Sequence, residues 1–212
     1  MTALRPPATL LIERSFEGMM ADLSTATPDK RTLILNAMVD LVAERGFHNA
    51  PISLLARRSG VSAGIVYHYF ENKDDLIRAL YKHIKAQWSA ALLLNHPQHL
   101  PYPANLERLW QNAYRFYVDH PRATLFLEQY ENSPYQVGGH EIGLDENLET
   151  VFAMVQAEIA QGNLADLPTD LLYEMTLGIA VRLAKRVIAG HLHLEDVLLG
   201  WIAAAVYRGV RP

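Results

Sequence analysis

The chain has 212 residues, half of them hydrophobic, with mean hydropathy near zero, enough to bury a sizeable core in an ordinary globular composition. It contains no cysteine, which excludes disulfides and cysteine-ligated metals and makes a reducing cytoplasm the natural setting. The formal net charge is −4, and no run approaches the roughly 18 apolar residues that span a membrane.

The charge is unevenly placed. Residues 28–90 hold nine Lys or Arg against six Asp or Glu, whereas residues 91–212 hold eight against fourteen. A basic bias confined to one third of an acidic chain suggests one face for a polyanion and another region for a different task. Random scatter of surface charge is the competing explanation.

Residues 1–27 contain Pro6, Pro7 and Gly18 with little periodicity and are expected to form a mobile arm. The short apolar run Ala8 to Ile12, followed at once by Glu13 and Arg14, is a poor secretory signal, and Met19 and Met20 leave the point of initiation open. A helix is expected from Pro28, with Thr27 as cap and Asp29 at the positive dipole end. Leu33, Ile34, Ala37, Met38, Leu41 and Val42 repeat at helical spacing, and Gly46 supplies the stop. A second helix fits Ile52 to Ser59 and ends at Gly60; Ser62 caps a third, to about Tyr69. Asn72 caps a fourth, striped by Leu76, Ile77, Leu80, Tyr81, Ile84, Trp88 and Ala91. Two helices joined by a short turn with a glycine are the helix-turn-helix arrangement. Further helices are expected to about His120, over Arg122 to Glu131, up to Gly162, from about Pro168 to Ala189, and from His193 to Arg208. No strand pattern competes, so the chain is read as all-α.

The third helix carries the chemistry. Its first turn, Ala63-Gly64-Ile65, presents almost no side-chain bulk, so its backbone can approach a large surface. Orphan amides and the positive dipole end favour phosphate oxygens, and a recognition helix enters the major groove by this end. Tyr67, His68 and Tyr69 can reach phosphates, sugars or base edges. Lys73, and Arg57 with Arg58, add charge nearby, although two adjacent arginines cannot both face DNA squarely. Phe70 is expected in the core.

The segment Lys30 to Leu80 resembles the DNA-binding region of the TetR/AcrR family of bacterial transcription regulators, through ILNAMVDLVAERGF, LLARRSGVS, AGIVYHYF and ENKDDL. The resemblance implies an all-helical homodimer with a helix-turn-helix headpiece (three helices plus a connector helix, residues 28–74) and a ligand-binding and dimerisation bundle (75–212). It places Tyr67, His68 and Lys73 where the family's DNA contacts occur; with Arg57, Ser62, Ala63, Gly64 and Ile65 they make the expected DNA-binding set. Three positions depart from the family pattern: Ala50-Pro51 where a Thr or Ser cap is usual, Ala63 where Lys is frequent, and Ile65 where a small hydroxyl residue is frequent. The last two favour contact with thymine methyls over hydrogen-bonded base reading.

Nine histidines raise the question of a metal, but His96 and His99 lie in a proline-rich loop, His191 and His193 straddle a helix break, and His140-Glu141 lacks a second histidine at zinc-protease spacing. No metal or cofactor is expected, and no nucleophile or phosphate-loop motif suggests an enzyme. The C-terminal helices are rich in aromatics, giving Trp110, Tyr114, Phe126, Tyr130, Phe152, Met175 and Arg182 as candidate effector contacts, with plain core as the alternative. Arg115, Glu128 and Gln129 are further polar candidates. Gly- and Ala-rich stretches at the end suggest a dimer surface at Leu183, Val187, Val197, Trp201 and Ala205. The expected partners are double-stranded operator DNA, a small-molecule effector and a second copy of the chain, with no membrane. A helical protein–protein adaptor or a small-molecule carrier is the alternative.

Overall fold

The computed structural model describes residues 29–136 and 145–212; the expected arm (1–27), Thr27, Pro28 and the His140-Glu141 pair lie outside them. Within them are ten α-helices, a 3₁₀ turn at Pro97–His99, and no strand. The first four are α1 (Lys30–Arg45), α2 (Ile52–Ser59), α3 (Ala63–Tyr69) and α4 (Lys73–Leu92). Asp29 is itself the cap of α1, its carboxylate accepting from Thr32 N at 2.6 Å. Ser62 Oγ accepts from Ile65 N, and Asn72 Oδ1 accepts from Asp75 N while Asp75 accepts from Glu71 N, so α3 and α4 both start at satisfied caps. Between α2 and α3 the chain reverses at Gly60, whose φ of 71° is left-handed and costs a residue without Cβ little.

The bundle comprises α5 (Ala104–Asp119), α6 (Pro121–Glu131), α7 (Glu146–Ala160), α8 (Thr169–Met175), α9 (Leu177–Ile188) and α10 (Asp196–Arg208). Leu106, Leu109, Trp110, Ala113, Phe116 and Tyr117 bury most of the circumference of α5, which packs against α4, α6, α9 and α10 and is the axis of the bundle. The single helix expected from Pro168 to Ala189 is instead interrupted at Thr176 (φ −120°, ψ −90°). Two bonds account for the break. Thr176 O accepts the indole N–H of Trp110 at 3.2 Å, and Thr176 Oγ1 donates back to Leu172 O at 2.6 Å. The last helix starts at Asp196, not His193.

Headpiece and bundle share one continuous core. The 20 residues of α4 run from one into the other, about 30 Å of helix. A second joint lies where α6 meets α1. Phe126 packs edge-on to Phe47 with centroids 5.7 Å apart, Gln129 Nε2 donates to Val42 O at 3.1 Å, and Arg122 pairs with Asp40 (2.6 Å) and Glu44 (3.3 Å).

Candidate nucleic-acid interface and effector cavity

Helix α3 is held by its buried face and offers the rest. Val66 and Phe70 sit in the core, while Ser62, Ala63, Gly64, Tyr67 and His68 are exposed and Ile65 is half-buried. Glycine costs a helix about 1 kcal/mol relative to alanine. Nothing in the chain demands that cost at residue 64, since a Cβ there would meet nothing nearer than Ser62 Oγ at 3.9 Å. The bare end of α3 is therefore unexplained by internal packing.

Arg57 and Arg58 divide as adjacency requires. Arg58 forms a two-pronged pair with Glu44, both bonds 2.7 Å, which raises its pKa and lowers that of Glu44. Arg57 is exposed on α2. Lys73 is half-buried, and its ammonium donates to Phe47 O; burial lowers its pKa. An ammonium has three protons, so two remain to offer. A groove lined by Arg31, Asp75, Arg78, Lys82 and His83 adds positive charge on α1 and α4, brought together only by the packing of the two helices.

In the bundle, a cavity of about 110 Å³ lies among α4, α5, α7, α8, α9 and α10, bounded by Trp88, Leu109, Val151, Leu172, Tyr173 and Tyr207. Phe152 lines it too, alone among the seven expected effector contacts. Trp110 and Tyr114 stack on one another in the core, Phe126 packs on Phe47, and Tyr130 stacks on Tyr81 at 4.1 Å. Met175 is exposed, and Arg182 pairs with Glu174 at the surface. The other polar candidates are engaged elsewhere: Arg115 with Asp196, Glu128 with Lys185, Gln129 with the Val42 carbonyl. Trp88, expected only in the α4 stripe, and the aliphatic side chains Leu148, Val151, Val155 and Ile159 of α7 make up much of the remaining wall, and in sequence they look like any core stripe. Burial raises the Tyr173 hydroxyl to about 12 and Tyr207 further still, so both act as neutral phenols. Among the described residues no group of three or more His, Asp or Glu side chains could hold a metal, and no helix is long and apolar enough to cross a membrane.

On α10, Val197, Leu198 and Trp201 expose large apolar surface, 64% of Trp201 included. Leu183, Val187 and Ala205 are half-buried.

The family model described as bacterial regulatory proteins, tetR family, matches residues 34–80, and the one described as tetracyclin repressor-like, C-terminal domain, matches residues 101–210, just over half the chain. The chain belongs to the TetR family. This TetR-family protein is thus a DNA-binding transcriptional regulator and not an enzyme. It is 27% identical over 162 residues to an uncharacterized HTH-type transcriptional regulator of Haemophilus influenzae, covering 76% of this chain and 84% of that one. It is 39% identical over 82 residues to the regulator BetI of Klebsiella pneumoniae, 39% of this chain and 42% of that one. Among solved structures, a TetR family regulator from Marinobacter aquaeolei shares the fold with a TM-score of 0.78 at 21% identity, covering 86% and 95% of the two chains. FadR from Bacillus subtilis, solved in complex with stearoyl-CoA, shares it with a TM-score of 0.58 at 17% identity, covering 84% and 95%.

Proposed function

We propose that the protein is a dimeric cytoplasmic repressor that leaves its operator when a small apolar molecule enters the bundle cavity. The observation that carries the DNA-binding geometry is the bare, capped end of α3 with a glycine that internal packing does not require. In this reading Ala63, Gly64 and Ile65 approach the major groove, Ser62 holds the helix start, and Tyr67 and His68 meet backbone or base edges. Arg57 and the two remaining Lys73 protons bind phosphates. Such contacts mainly position the protein on the duplex. Val197 and Trp201, with Leu183, Val187 and Ala205 beside them, meet their counterparts in a second copy, setting two α3 helices about 34 Å apart.

Release follows from α4. Its Lys73 end lies in the headpiece, and Trp88, about 22 Å further along, lines the cavity. A ligand that prefers a conformation with another α3 separation lowers DNA affinity by that differential affinity. The α6–α1 joint gives the bundle a second hold on the headpiece. That a neighbour of the same fold carries an acyl ligand supports an apolar effector.

The test is binding to DNA flanking the protein's own gene across a salt series, for wild type and Arg57→Ala. Log affinity should fall with log salt by about 0.9 for each phosphate contact, with a slope shallower by about that amount in the variant. Affinity independent of salt, from a well-folded dimer, would overturn the proposal.

A further inference from the structure

Two of the three tryptophans are buried in the core, and they differ in one respect. The Trp110 indole N–H donates to Thr176 O, whereas the Trp88 indole N–H is buried with no hydrogen-bond partner. Buried indole N–H groups find partners as a rule. Trp88, only 4% exposed, lines the cavity. Its ring also carries the Lys85 ammonium 3.8 Å from the centroid, and a cation held over an indole draws electron density from it and strengthens its N–H as a donor. The rest of the lining is aliphatic and aromatic apart from Gln156, two threonines and two tyrosines, with no charged side chain among the described residues. Phe152 and Gln156 line the cavity and are also exposed, which puts its mouth on α7.

We infer that the cavity binds an uncharged, largely apolar molecule whose carbonyl oxygen accepts the Trp88 Nε1–H. The inference rests on the reading of this cavity as the effector site, and it deepens that reading by naming the ligand's chemistry. A cationic head group is disfavoured by the Lys85 ammonium over the Trp88 ring, and an anionic one because Lys85 is not part of the wall and no lining side chain would offset its desolvation. Size limits the buried part to about one six-membered ring, since cavities of roughly 150 Å³ take benzene. A longer ligand extends through the mouth.

Two probes separate the acceptor from the shape. Cyclohexanone and methylenecyclohexane differ by an oxygen in place of a CH₂. With tryptophan labelled by ¹⁵N, the full-length protein gives three indole signals, assigned from single Trp→Phe variants. Cyclohexanone should move the Trp88 indole proton downfield and bind about three- to tenfold more tightly than methylenecyclohexane, the range of one net hydrogen bond. Trp88→Phe should erase that preference while leaving methylenecyclohexane binding in place, its fold checked by thermal melting. Equal affinities for the two probes in the wild type, an unmoved Trp88 signal with cyclohexanone bound, or no binding of either would overturn the inference. The wild-type comparison stands if the variant fails to fold. Operator affinity measured at saturating cyclohexanone is read separately: an unchanged affinity beside a moved Trp88 signal refutes effector release and leaves the assigned ligand chemistry intact.

Discussion

Replacing Lys85 by methionine should stabilise the protein at neutral pH, and the gain should fade in alkali. Burial of the ammonium against Trp88 pushes the Lys85 pKa down to about 8, with the Glu131 and Asp145 carboxylates opposing the shift. In the unfolded chain the same lysine holds its proton to about pH 10.4. Below pH 8 both states are protonated, and the folded state bears the whole cost of the buried charge. Between pH 8 and pH 10.4 the unfolded chain binds a proton that the folded chain lacks, so stability rises with pH across that window. At about 1.4 kcal/mol per pH unit the cost is on the order of 3 kcal/mol. Lys85 as a whole is only half-buried, so water reaches part of the side chain and a gain of about 1–3 kcal/mol is expected at pH 7. Methionine keeps the length and packs its sulfur on the indole. Urea denaturation at pH 7.0 and 9.5, at equal protomer concentration, measures the gain directly. A variant less stable at pH 7.0, or an advantage that does not shrink by pH 9.5, would refute the reasoning.

Three further substitutions probe other parts of the account. Phe126→Ala removes a fully buried ring from the α6–α1 joint and should cost about 3–5 kcal/mol, read as a lowered urea midpoint. Ser62→Ala deletes the cap of α3, which should cost about 1 kcal/mol, read as a lowered urea midpoint, and weaken operator binding in a gel-shift titration. Trp201→Lys places a charge on the most exposed aromatic of α10 and should shift sedimentation towards the monomer; an unchanged dimer would move the interface elsewhere.

How much of this was readable in the sequence depends on the range of the forces involved. Ser62, Asn72 and Gly60 act on amides or dihedrals within three residues, so the ends of α3, the start of α4 and the turn before α3 could be placed from the chain alone. The break at Thr176 could not, because the bond that makes it comes from Trp110, 66 residues away. Nor could the pairing of Arg122 with Glu44 across 78 residues. Aromatic content drew attention to the right helices but not to the cavity wall: Trp110 and Tyr114 stack on each other, and Phe126 closes on Phe47. Trp88 has the same apolar spacing as its core neighbours on α4, and only its unpartnered N–H sets it apart.

Amide hydrogen exchange on the full-length protein, with DNA flanking its gene and with a scrambled duplex, separates docking of α3 on a specific site from nonspecific binding. Exchange should slow between Arg57 and Lys73 with the flanking DNA, most strongly at the amides that open α3. Unchanged exchange there, or protection confined to α7 and α8, would contradict it.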